Sequence, residues 1–244
     1  FTACIIFPVS ILLDGSLTKI ERDRIFVIYI IAFFVIFFWA AYEQAGASLT
    51  LFAAEQTDRT ILGWEMPASW IQSFNPFFVV ILAAIMPSVW GALNKRGMEP
   101  ASPTKQAIGL LLLSLGYLVI CFGVKDVQPG IKVSLIWLTG LYFIHTMGEI
   151  ALSPIGLSMV NKLTPVRFAS LMMGIWYLST STANKFAGTL GGLYPEDGKV
   201  KTLLGFRIET MFDFFMVFVI MSGVASLILF LLSKKLQKMM HGVE

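Results

Sequence analysis

The sequence predicts an all-α membrane protein, a bundle of six spanning helices, on three observations. Of its 244 residues, 57% are hydrophobic and only 14% are charged, with a mean hydropathy of +0.78. A soluble domain carries about 25% charged and about 45–50% apolar residues. It needs a polar surface around its core, and this chain lacks the residues to make one. Second, the apolar residues gather in six runs, each long enough to cross ~30 Å of hydrocarbon at ~1.5 Å per helical residue. Third, the breakers fall between the runs: Gly63 and Pro67, Gly97 and Pro100, Pro129 and Gly130, Pro165, Pro195 and Gly198. The runs are continuous rather than alternating, which excludes β-barrel strands.

Taken in order, Phe1–Leu13 is apolar but too short to span. It lacks the charged start and small-residue cleavage site of a signal peptide, and reads as the tail of a helix that begins upstream. A polar linker follows, so residues 1–24 form one segment and residues 25–244 the transmembrane bundle. Spans are expected at about 25–54, 68–93, 104–124, 131–160, 166–193 and 209–233. Lys and Arg set their direction. The loops on one side, from Lys19 round to Lys238, hold eleven of these residues; the other side holds six, and Lys185 lies within a span. The C-terminus is therefore expected in the cytoplasm. Trp64, Trp70 and Trp90 fall near span ends, where interfacial anchors belong. The net charge of +3 is small and scattered, so nucleic acid is not an expected partner. Cys4 and Cys121 lie far apart in separate apolar runs, and read as reduced thiols rather than a disulfide framework.

Ionisable groups at membrane depth are expensive, and each is a functional-site hypothesis by default. Glu43, followed by Gln44, lies about 27 Å along its helix from Ile25. Glu149 lies at a similar depth in the fourth span. Each reads either as a neutral acid bonded to a neighbouring helix or as a proton- or cation-binding group facing a water-filled cavity. His145 and Glu149 share a helix face, but the pattern is not H-E-x-x-H and no third ligand is evident, so neither a metal nor any other cofactor is expected. His145 reads as a hydrogen-bonded helix-contact residue or as a group tuning Glu149. Lys185, near the outer end of its span, reads as a snorkelling lysine or as a gate. Ser153-Pro154 predicts a kink one turn after Glu149, and Asn75-Pro76 places a polar side chain at another break. Trp39, Tyr42 and Trp176 are aromatics at depth, which in bundles mostly pack but can line a pocket.

Four stretches together carry a resemblance: FFWAAYEQAGASLTLFA (Phe37–Ala53), SWIQSFNPFFVVILAAI (Ser69–Ile85), GEIALSPIGLSMVNKLTP (Gly148–Pro165) and LMMGIWYLSTSTANKFAG (Leu171–Gly188). In order and spacing they resemble helices 7, 8, 10 and 11 of the proton-dependent oligopeptide transporters, a branch of the major facilitator superfamily. The resemblance implies the C-terminal six-helix bundle of that fold, preceded by the end of an extra helix between the two bundles. It implies a proton-coupled symporter of di- and tripeptides in the bacterial inner membrane, not an enzyme. It also implies roles: Glu43 as the acid of the outer gate, Glu149 as the clamp on the peptide's amino terminus, and Asn75 as its helper. Trp39, Tyr42 and Trp176 would line side-chain pockets, and Ser153 would be a small polar cavity residue.

The family's helix 1 motif E-x-x-E-R-F-x-Y-Y-G is absent, as are its helix 4 lysine and helix 5 signature. The site lies between two halves in such folds, so this chain is expected to supply one wall and, without an N-terminal six-helix half, not to transport. The nearest alternative is a major-facilitator porter of another small solute such as nitrate. More distant ones are a non-transporting membrane subunit and an intramembrane enzyme. Against an aspartyl protease, both buried acids are Glu and no G-x-G-D stretch is present.

Overall fold

The computed structural model describes residues 8–125, 127, 131–195 and 199–243. Cys4, Pro129, Gly130, Gly198 and the first seven residues of the Phe1–Leu13 run lie outside them. Helix α1 (Lys19–Tyr42) passes through a 3-10 turn (Glu43–Gly46) into a short α2 (Ser48–Glu55). A second 3-10 segment (Ala68–Ser73) leads into α3 (Phe74–Lys95). Then come α4 (Ser102–Val124), α5 (Leu135–Leu163), α6 (Ala169–Gly191) and α7 (Met211–Met239). With α1 and α2 taken as one interrupted span, this is a six-helix bundle.

Five of these segments are long and apolar enough to cross a membrane: 19–55, 68–95, 102–124, 135–163 and 211–239. The sixth, α6, has 23 residues but a more polar sequence. It carries Ser170, Ser181, Asn184, Lys185 and Thr189 at exposed positions, so its apolarity is lower than its length alone suggests.

Helix ends are set locally. Thr18 and Glu21 form a capping box at the start of α1, and Thr210 and Asp213 form one at the start of α7, each satisfying backbone N–H groups that have no partner inside the helix. The start of α1 is held to the end of α7 by Arg24 Nε, which donates to the Met240 carbonyl at 3.2 Å, and by His241 Nε2 against Asp23 at 2.8 Å. At the opposite end β1 (Thr57–Asp58) pairs in parallel with β4 (Val133–Ser134), Thr57 opposite Val133, tying the end of α2 to the start of α5. Two hairpins, β2 (Thr60–Ile61) with β3 (Trp64–Glu65) and β5 (Lys201–Leu203) with β6 (Phe206–Ile208), close the remaining connections.

Inside the bundle α4 is held between α5 and α7, α1 packs on α6, and α3 leans on α5. Lipid is as apolar as a leucine side chain, so association here depends on close fit rather than on escape from water. Gly109 of α4 faces Gly148 of α5: a Cβ on Gly109 would lie 2.8 Å from the Leu152 Cβ, and one on Gly148 would lie 2.9 Å from the Gly109 carbonyl oxygen. Only hydrogen at both positions lets the two backbones approach this closely. One heptad along α4, a Cβ on Gly116 would collide with the His145 ring. By contrast α3 buries only Leu82 and Met86, which form a small separate cluster with Ala151 of α5.

Candidate functional site at the meeting of three helices

The site starts from a helix that does not run straight. The sequence predicts one span over 25–54, but the structure interrupts it at Glu43–Gly46. The carbonyls around the interruption take side-chain donors. Gln44 Nε2 donates to the Ala40 carbonyl at 3.2 Å and to the Ala187 carbonyl of α6 at 2.9 Å, while Ser48 Oγ donates to Gln44 Oε1 at 2.6 Å. Tyr117 of α4 donates to the Ala41 carbonyl at 2.7 Å, and Thr50 Oγ1 to the Ala45 carbonyl at 2.7 Å. Irregular backbone survives at membrane depth where such partners exist. The turn turns Gln44 into the bundle and leaves Glu43 exposed, with no ion pair among the described residues.

Glu149, half-buried on α5, is the focus. The Tyr42 hydroxyl, from the last residue of α1, donates to its Oε2 at 2.5 Å. Asn75 Nδ2, from the first turn of α3, donates to the same oxygen at 2.8 Å, to Thr146 Oγ1 at 3.2 Å, and to the Tyr42 hydroxyl. Asn75 has two amide hydrogens for these three acceptors, so its bonds exchange with one another. Both donors converge on Oε2, and Oε1 accepts no hydrogen bond among the described residues. The carboxylate is oriented by protein on one side and available on the other.

The Tyr42 ring is held in place by its neighbours. It stacks on Phe38 with centroids 5.5 Å apart and meets Trp39 edge-on at 5.4 Å, with His145 at 6.2 Å. His145 itself is buried and turned toward α4. Its Nε2 lies 3.1 Å from the Leu113 carbonyl and its ring is 4.7 Å from Tyr117. It serves as a hydrogen-bonded helix contact, and reaches the site only through the Tyr42 ring.

Three sequence-predicted residues, Tyr42, Asn75 and Glu149, thus meet from three helices, with Trp39 in contact. Trp176 does not join them. It is buried, with its ring over Gly156 of α5 beside Gln106, where a Cβ on Gly156 would lie 2.7 Å from Trp176 Cζ2. Ser153 is half-buried one turn beyond Glu149. Lys185 is exposed on α6, two turns before that helix ends. Trp64 and Trp70 are exposed and 5.4 Å apart, whereas Trp90 sits under the Lys105 ammonium at 4.9 Å.

Sequence reasoning missed two residues here. Thr146, three positions before Glu149, shares its helix face, a spacing that was available as a signal. Tyr142 is 3% exposed and its hydroxyl has no hydrogen-bond partner, a condition that costs about 1–3 kcal/mol. Among the described residues no three His, Cys, Asp or Glu side chains group as metal ligands. A cavity of about 620 Å³ opens between the ends of α3, α4, α5 and α7. It touches none of Tyr42, Asn75 or Glu149, and its Lys105 is already paired with Glu99.

A family model described as the POT family matches residues 8–204. Peptide transporter YePEPT of Yersinia enterocolitica is 37% identical over 185 residues, covering 75% of this chain and 36% of the relative. Dipeptide and tripeptide permease A of Escherichia coli is 30% identical over 218 residues, covering 89% of this chain and 43% of the permease. Among solved structures, a mutant of peptide transporter POT in complex with alafosfalin superposes with a TM-score of 0.86 at 30% identity, covering 99% of this chain and 47% of that one. The chain therefore spans less than half the length of the relatives it matches.

Proposed function

Because this chain belongs to the POT family, we propose that it forms the C-terminal six-helix bundle of a proton-coupled symporter of di- and tripeptides. It acts as a membrane transport protein and not as an enzyme, in the bacterial inner membrane with its C-terminus in the cytoplasm. The observation that carries the reading is the Glu149 carboxylate, oriented through Oε2 by Tyr42 and Asn75 and open at Oε1. A carboxylate so held accepts a peptide's ammonium as a charge-assisted hydrogen-bond partner. The names of YePEPT and the permease, and the alafosfalin complex, support peptides and peptide-like compounds as the substrate class.

In this reading Glu149 clamps the amino terminus when ionised and releases it when protonated or re-paired. A proton moves the transport cycle only because it changes the energy of that pair in one state more than in the other. Asn75 and Tyr42 set the clamp's geometry, and Trp39, Trp176 and Ser153 border the substrate path in different stages of alternating access. Glu43, exposed on the interrupted helix, faces a basic partner from the N-terminal half and closes the outer gate. That half and the lipid bilayer complete the machine.

The test is Glu149→Gln in the full-length parent protein, reconstituted in liposomes with an inward proton gradient. Accumulation of a radiolabelled dipeptide is expected to vanish while the protein remains folded. Accumulation at the wild-type level would remove Glu149 from the mechanism. Competition by unlabelled peptides, set against nitrate, separates peptide transport from carriage of another small solute.

A further inference from the structure

A buried hydroxyl without a partner needs a reason, and Tyr142 sits where one is at hand. Tyr142, Thr146 and Glu149 occupy positions i, i+4 and i+7 of α5, which places them in one stripe along a helix face. Thr146 Oγ1 donates to the carbonyl of Tyr142 itself at 2.7 Å. The Tyr142 ring meets Phe74 edge-on, with centroids 6.2 Å apart. Phe74 immediately precedes Asn75, the residue that bonds both Thr146 and Glu149. The ring is therefore fixed at the upper rim of the same network that holds the carboxylate, yet its hydroxyl is idle in the ligand-free arrangement.

We infer that Tyr142 is a positioning residue of the substrate-loaded state, its hydroxyl taking a hydrogen bond that the Tyr42–Asn75–Glu149 network gives up when an ammonium occupies Glu149. The inference rests on the peptide-transport reading. An ammonium on Glu149 competes with Tyr42 and Asn75 for the carboxylate, and each donor it displaces needs a new acceptor. Thr146 is already one acceptor of Asn75, and the idle Tyr142 oxygen lies along the same stripe. A bond made in the loaded state and missing in the empty one adds only to substrate affinity, because equal contributions to both states shift nothing.

The experiment is Tyr142→Phe in the full-length transporter, which removes one oxygen and keeps the ring. Two quantities are read together: the KM and maximal rate of proton-driven dipeptide uptake, and the melting temperature with and without saturating dipeptide. The expected result is a KM raised roughly three- to tenfold, the scale of one hydrogen bond, at nearly unchanged maximal rate. The ligand-free protein should melt at or above the wild-type temperature, since an unmatched polar group has been removed, and the stabilisation by dipeptide should shrink. An unchanged KM and an unchanged dipeptide-induced shift overturn the inference. So does a fall in ligand-free melting temperature, which assigns Tyr142 to packing alone. If wild-type protein takes up no dipeptide, it is the underlying functional reading that fails, and that outcome is distinct from both.

Discussion

Helices α3 and α4 have almost the same length, 22 and 23 residues, and both read as plain apolar spans. They live in different surroundings. In their most apolar stretches 56% of α4 residues are buried within the protein, against 11% for the segment that contains α3. Small residues separate them. Gly109 and Gly116 let α4 press its backbone against α5, while Gly91 of α3 has nothing within 4 Å of where a Cβ would stand. Apolarity admits a helix to the membrane; only a surface shaped for close approach decides whether another helix covers it. Helix α3, loosely held, nonetheless delivers Asn75 to the site. A mobile wall and a fixed wall suit a cavity that must open.

The contrast can be broken at its strongest point by Gly109→Leu. That change forces at least four heavy atoms into the α4–α5 crossing and is expected to cost about 3 kcal/mol or prevent folding, measured as yield and thermal unfolding of the full-length protein in detergent. A variant as stable as wild type would show that the crossing is not tight. Next comes Leu82→Ala, which empties the small cluster with Met86 and Ala151. It is expected to cost about 2 kcal/mol, at the low end for a buried leucine, and to raise hydrogen exchange in α3 more than in α4. Equal exchange in both helices would argue that α3 is no looser than the rest. Asn75→Ala should raise the KM of dipeptide uptake about tenfold, the effect of losing a hydrogen bond to a charged group, with little change in melting temperature. A large drop in stability instead would make Asn75 a structural strut for α3. The smallest effect belongs to Gly91→Ala, expected within about 0.5 kcal/mol of wild type by the same unfolding measurement.

Much of this was readable beforehand because membrane insertion writes itself in runs of apolar residues. The spans, and the pairing of Glu149 with Asn75 and Tyr42, rest on residues too costly to keep in lipid without purpose. What escaped was whatever depends on a partner helix. The interruption at Glu43–Gly46 has no proline and is held by Tyr117 and by the Ala187 carbonyl, both remote in sequence. Trp176 looked like a pocket aromatic, but Gly156 gave it a berth on α5 instead. Tyr142 drew no attention as one more aromatic in a span, since only a hydrogen-bond inventory shows its oxygen idle.

The interrupted first span also bears on how the protein is built. Its stabilising donors arrive late: Tyr117 follows Ala41 by 76 residues, and Ala187 follows Gln44 by 143. A nascent segment with an open backbone in hydrocarbon would carry unmatched polar groups, whereas a straight helix matches its own. The segment around Glu43 therefore enters the bilayer as regular helix, and the bend is made afterwards, when α4 and then α6 dock against it. The exposed position of Glu43 is in this sense a product of assembly, acquired only once most of the chain has been synthesised.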